Sequence, residues 1–339
     1  MIDLLVAGAG PAGLATALFA ARAGMQVVVV DPRPAPIDKA CGEGLLPGAV
    51  RNLTAAGVDP PGVPFRGIAY VSGSRRAEAL FRAEPGRGVR RTDLQSTLLA
   101  AVLARNVPVL ERTVTSLEEG AASVTAAGVT ARYLVAADGL HSPIARRRGL
   151  DQPARPGSQR WGLRRHFALA PFSELVQVHW SERSEAYVTP VGAGLVGVAV
   201  LSGDRIPFDA QLARFPELAD RLAGREAGPV RGAGPLRRRT RRRVDGRVLL
   251  VGDAAGYVDA LTGEGIAVSL ACAKALVECV DADRPEHYEV LWRRHSRRYR
   301  ALTSSLLWAS GNPTLRRSLV PAAQRVPVVF RAAVGQLAR

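Results

Sequence analysis

Ile2-Asp3-Leu4-Leu5-Val6-Ala7-Gly8-Ala9-Gly10-Pro11-Ala12-Gly13 is the stretch that decides the fold of this 339-residue chain. Ile2 to Ala7 reads as an apolar strand, and the glycine turn opens an alanine-rich helix to about Gly24. A second strand, Gln26 to Val30, closes on Asp31. In such a unit Gly8 permits the tight turn, Gly10 lets the backbone approach a pyrophosphate, and Gly13 lets the helix pack on the strand, with Pro11 and Ala12 completing the turn. Asp31 stands roughly 20 residues past the glycines, where a carboxylate accepts hydrogen bonds from ribose hydroxyls. The glycines alone are a weak sign. Strand, helix and acid together predict a dinucleotide site.

Val251-Gly252-Asp253-Ala254-Ala255-Gly256, leading through Tyr257 to Leu261-Thr262-Gly263-Glu264-Gly265-Ile266, makes that dinucleotide a flavin. The run Arg247 to Val251 predicts a buried strand, and Glu264 to Val280 predicts a helix. The N-terminus of that helix, Gly263, Gly265 and Ile266, offers free N–H groups to an anion, while Asp253 accepts from sugar or ribityl hydroxyls. A third strand, Tyr133 to Ala137, runs into Asp138-Gly139-Leu140-His141-Ser142.

With the glycine fingerprint, Asp138-Gly139 and Gly252-Asp253 in this order, the chain resembles the superfamily of FAD-dependent aromatic hydroxylases and geranylgeranyl reductases over most of residues 1 to 285. The resemblance implies an α/β fold: a Rossmann-like FAD-binding domain of the glutathione-reductase type with an inserted antiparallel sheet and C-terminal helices. It also implies that Arg33, Arg91 and Asp138 contact the cofactor and that Val114 lies near the adenine. Lys39-Ala40-Cys41-Gly42-Glu43-Gly44 is similar to the Cys-Gly loop of the reductase branch, so Cys41 and Gly42 are expected beside the flavin. Reductases of that branch carry an aromatic Trp-x-Phe-Pro stretch, where this chain reads Ala186-Tyr187-Val188-Thr189-Pro190. That departure favours an NAD(P)H-dependent monooxygenase of a hydrophobic aromatic or polyene substrate, with a double-bond reductase as the alternative. In the reductase, Cys41 or Tyr187 would supply the proton. A basic nucleotide-binding protein without activity is the remote third reading.

The expected division is a discontinuous FAD-binding domain over 1–64, 88–159 and 244–285, a β-rich substrate domain over 65–87 and 160–243, and a helical segment over 286–339. Val176 to Trp180, Glu185 to Val188 and Leu195 to Leu201 are the predicted strands of the substrate layer. Trp161, Phe167, Trp180 and Tyr187 are its candidate pocket residues, though each could equally fill the sheet's core. Pro313, Pro321 and Pro327 are expected to break the C-terminal helix into short pieces.

A 47% hydrophobic composition allows a sizeable core. Met1 leads directly into the first strand, and no apolar run approaches the roughly 20 residues that span a bilayer. The expectation is a cytoplasmic enzyme, with contact at a membrane surface as a secondary reading. Cys41, Cys272 and Cys279 lack paired spacing, so neither a metal site nor a disulfide framework is expected. The net charge of +16 is almost wholly arginine, since Lys39 and Lys274 are the only lysines. Its densest run, Arg237 to Arg243, is expected to form a solvated or NADPH-facing rim, and no nucleic-acid module accompanies it.

Overall fold

A computed structural model describes residues 1–152 and 159–338. Five parallel strands form the heart of the first sheet, in the order Val248–Leu250, Val129–Ala136, Ile2–Ala7, Val27–Val30 and Val109–Leu110. Leu4, Leu5 and Val6 on the central strand are wholly buried. Helices Pro11–Arg22 and Gly265–Asp281 pack against each other on this sheet. Near-continuous Val, Leu and Ala runs are what a parallel sheet covered by helices demands. The strand ends carrying Gly8, Ala137 and Val251 lie side by side, because Ala7 pairs with Ala136 and Leu250 pairs with the same residue. Three turns that are distant in sequence therefore open on one edge.

The second sheet has seven strands, from Arg231–Ala233 through Trp161–Ala168, Leu195–Ser202, Ser184–Gly192, Val176–Trp180 and Gly67–Ser72 to Arg75–Leu80. It departs from the expected antiparallel sheet at one pairing: Gly67–Ser72 runs parallel to Val176–Trp180. These strands come from separate excursions of the chain, so no hairpin turn imposes an antiparallel register.

Three helices follow, His287–Gly311, Pro313–Arg325 and Pro327–Leu337. Pro313 and Pro327 begin helices, where the missing N–H is not needed, and the Asn312 side chain caps the first of these by accepting from Thr314 and Leu315. Pro321 does not break the chain as expected; it sits inside the helix Pro313–Arg325. The last two helices cover the strand Arg75–Leu80. Arg316 locks them down, pairing with the buried Glu185 at 2.7 Å and lying 5.2 Å from the Trp180 ring centre.

Candidate active site

Two glycines of the N-terminal turn are steric necessities. A Cβ on Gly8, which has φ +118°, would lie 2.3 Å from the carbonyl oxygen of Ala137, and one on Gly13 would lie 1.8 Å from that of Gly8. Gly10 differs. A Cβ there would meet only Arg91 Nη2, at 3.6 Å, so open space lies in front of it. The helix behind it starts without a side-chain cap, which leaves N–H groups free for an anion. Arg91 is buried, and its Nη1 has no hydrogen-bond partner among the described residues. A buried guanidinium beside an uncapped helix start fits the pyrophosphate of FAD.

Asp31 lies one layer behind this surface. Its Oδ2 accepts from the Ala9 N–H at 2.8 Å, and its carboxylate also takes the backbone and side chain of Arg33. Burial opposes its charge, but these bonds outweigh it and hold the carboxyl below its ordinary value. Asp31 thus braces the turn with both oxygens engaged, while Arg33 faces the cavity.

The cavity in front of the turns measures about 390 Å³. It brings together Gly10, Pro11, Ala12, Arg33, Cys41, Gly42, Arg91, Asp138, Asp253, Gly263, Gly265, Ile266 and Tyr187. Asp253 is steadied by Lys39 Nζ at 3.4 Å, and Asp138 Oδ2 accepts from the Ile144 N–H at 3.1 Å. Burial raises the Asp138 carboxyl above its ordinary value.

Val114, Trp161, Phe167 and Trp180 are not among the lining residues. Val114 belongs to the core, and its carbonyl accepts from Arg147 at 2.6 Å. On the strand Trp161–Ala168, Gly162, Leu163 and Arg164 line the cavity; Phe167 packs on Phe208 and Trp161 lies under Arg205. Trp180 shares a face with Val176 and Val178, but it sits further along, where the C-terminal helices cover it. The wall is built from Phe65, Ile68, Tyr70, Val176, Val178 and Leu337 instead.

Cys41 is half-buried in the cavity lining, and burial pushes its thiol up, with Arg91 working against that. The Tyr187 hydroxyl donates to the Leu261 carbonyl at 2.8 Å, tying the sheet to the flavin turn. Thr189 likewise donates to the carbonyl of Gly42 at 2.8 Å. The stretch Ala186 to Pro190 therefore holds both loops that face the cofactor.

Sequence reasoning missed a buried cluster directly behind Cys41. Glu43 Oε1 accepts from the Arg91 N–H at 2.8 Å, and Oε2 lies 2.6 Å from His166 Nε2. Arg164 Nη1 lies 3.1 Å from His166 Nδ1, and its Nη2 pairs with Asp38. Arginine cannot accept, so Nδ1 is the acceptor and His166 donates to Glu43 from Nε2. No local pattern announces the cluster: its members are far apart in sequence, and the φ of +60° at Glu43, unusual for glutamate, is a property of the fold.

The Arg237 to Arg243 run is only partly the rim expected of it. Arg238 donates to the carbonyls of Leu140 at 2.7 Å and Ala254 at 3.3 Å, and it pairs with Asp151. Arg243 is buried, donates to the Ala255 carbonyl at 3.1 Å and pairs with Glu289 at 2.8 Å. Both guanidiniums brace the turns after Asp138 and Asp253, because buried carbonyls need donors that those tight turns lack.

The family described as FAD binding domain matches residues 1–203. The menaquinone reductase of Mycobacterium tuberculosis (strain ATCC 25618 / H37Rv) is 29% identical over 331 residues, covering 83% of this chain and 76% of the relative. Digeranylgeranylglycerophospholipid reductase 2 of Methanopyrus kandleri is 28% identical, covering 80% of this chain and 75% of the relative. Among solved structures, a flavoprotein/dehydrogenase from Cytophaga hutchinsonii superposes with a TM-score of 0.86 at 20% identity, covering 99% of this chain and 92% of that one. That last likeness is one of fold.

Proposed function

Since the chain belongs to the FAD binding domain family, and is an FAD-dependent oxidoreductase, we propose that its reaction is the reduction of a carbon–carbon double bond in a hydrophobic, isoprenoid-like substrate. The observation that carries this is the apolar wall running from Cys41 and the flavin turn past Ile68, Val176 and Val178 to Leu337. A chain of methyl-branched units would bury its surface there, at about 25 cal/mol per Å². The reductases among the relatives support the same reading.

FAD, when bound, supplies the two-electron chemistry, with NAD(P)H as the reductant. Gly10, Arg91 and the start of the helix Pro11–Arg22 would hold its pyrophosphate, and Asp253 with the N-terminus of Gly265–Asp281 would hold the flavin end. Cys41 keeps its proton because burial disfavours the thiolate, so Sγ holds a proton in the cavity lining. Tyr187 orients rather than donates, since its hydrogen is committed to Leu261. The apolar wall excludes water from the reacting bond.

This reading reverses the order set by the altered Ala186 to Pro190 stretch. That stretch holds the two cofactor-facing loops, so its departure from the reductase pattern says little about oxygen insertion. No helix among the described residues is long and apolar enough to cross a membrane. Trp308, Val328 and Val329 are nonetheless exposed on the C-terminal helices, as is Val326 between two of them, Leu337 lines the cavity, and this surface would rest on a bilayer that carries the substrate.

The test is turnover without oxygen. With NAD(P)H and a prenylated quinone, sustained anaerobic turnover is expected to give a product that stays heavier by two hydrogens in its prenyl chain after any quinol is reoxidised, and Cys41→Ala should slow it about 100-fold or more. A product heavier by one oxygen atom, formed only in air, would replace this reading with the monooxygenase.

A further inference from the structure

We propose that a second cavity, adjoining the first across Asp253, Tyr257, Gly265 and Ser269, binds a phosphate-bearing ligand. Its volume, about 500 Å³, suits a ligand of nucleotide size. Its walls include Arg237, Arg239, Arg243, Arg293 and Arg300, against which Asp253 is the single lining carboxylate among the described residues. Asp253 is already paired with Lys39, and Glu289 just outside serves Arg243 and Arg293. Arg237, Arg239 and Arg300 form no ion pair with any described residue, so several guanidiniums converge without a counter-charge.

Two further observations point to a ligand. Ser296 is 1% exposed and lines this cavity, yet its Oγ has no hydrogen-bond partner among the described residues. A buried hydroxyl left unpaired in a native fold needs a partner. Trp292 lies between Arg243, 3.7 Å from its ring centre, and Arg300, 5.4 Å away. Arg243 is committed to Ala255 and Glu289, but the same ring steadies the Arg300 guanidinium, and a steadied fork of donors favours phosphate oxygens. The shared chemistry has two sources: the phosphates of a nicotinamide dinucleotide, or the diphosphate of a prenyl substrate.

The proposal is independent of the reaction proposed above, because its test reads binding to the FAD-loaded full chain without turnover. Calorimetric titration with inorganic pyrophosphate should show one saturable site. Combining Arg237→Gln with Arg300→Gln should weaken it about tenfold or more, and Ser296→Ala several-fold, with the flavin absorbance unchanged. Combining Arg225→Gln with Arg325→Gln, which removes the same charge elsewhere, should leave it unaltered. Equal weakening by the two pairs, or no saturation, overturns the proposal. Displacement of pyrophosphate by NADP⁺ but not NAD⁺, the oxidised forms that leave the flavin unreduced, assigns the site to the 2′-phosphate. Displacement by both assigns it to the dinucleotide backbone, and displacement by a prenyl diphosphate alone assigns it to the substrate. If none displaces it, the site holds an adventitious ion only and the proposal fails.

Discussion

Asp31 and Glu43 are carboxylates of nearly equal burial, 3% and 2% exposed, and both support the same cavity. Asp31 finds its partners close by, in Ala9 and Arg33. Glu43 finds them at Arg91, and at His166, 123 residues away. Asp31 completes a strand–turn–helix–strand unit whose geometry is set within one short segment. Glu43 joins the Cys41 loop to the second sheet. The first kind of support belongs to a transferable motif, while the second makes the cavity of this particular molecule.

Removing each support tests that contrast. Glu43→Ala leaves His166 Nε2 and the Arg91 N–H without their acceptor in a buried site and removes a buried carboxylate 3.8 Å from Arg164 Nε, and it should cost about 3 to 5 kcal/mol of unfolding free energy in denaturant titration. Gly13→Val drives a side chain into the Gly8 carbonyl and should cost about 3 kcal/mol with loss of flavin, whereas Gly10→Val should fold and lose flavin alone. Asp31→Ala leaves the Ala9 N–H as its buried orphan, since the half-exposed Arg33 side chain can turn to water, and it should cost about 1.5 to 3 kcal/mol. If the Asp31 and Glu43 variants prove equally destabilised, distance in sequence carries no extra structural burden here.

Glu264 supplies the smallest and opposite effect. It is buried beside the flavin turn, and its Oε2 has no hydrogen-bond partner among the described residues. Burial pushes its carboxyl from the ordinary 4.5 up to about 7, with Arg298 offsetting part of the cost. The folded protein therefore binds this proton more tightly than the unfolded chain does. Stability from this group is present at low pH and falls as pH rises from about 4.5 to about 7. Glu264→Gln should abolish that slope and raise stability at about pH 8 by about 1 to 2 kcal/mol, read from melting curves across pH. A variant less stable than the wild type at that pH would show that the carboxylate has a partner when charged.

The sequence by itself determined the parallel flavin-binding sheet, because strand, turn and helix are coupled over a dozen residues and Gly8 and Gly13 leave no alternative side chain. It also determined the Gly252-Asp253 turn and the start of the following helix. Cys41 and Gly42 were legible as cavity residues through the likeness of their loop. Only the tertiary structure decided which residues form the cavity wall. Trp180 and Val178 share one face of one strand, yet the helices that cover the tryptophan come from more than a hundred residues later. The inward turn of Arg238 and Arg243, and the junction of Glu43 with Arg164 and His166, arise for the same reason. A buried charge or carbonyl is satisfied by whatever group packing brings to it, and local sequence does not contain that group.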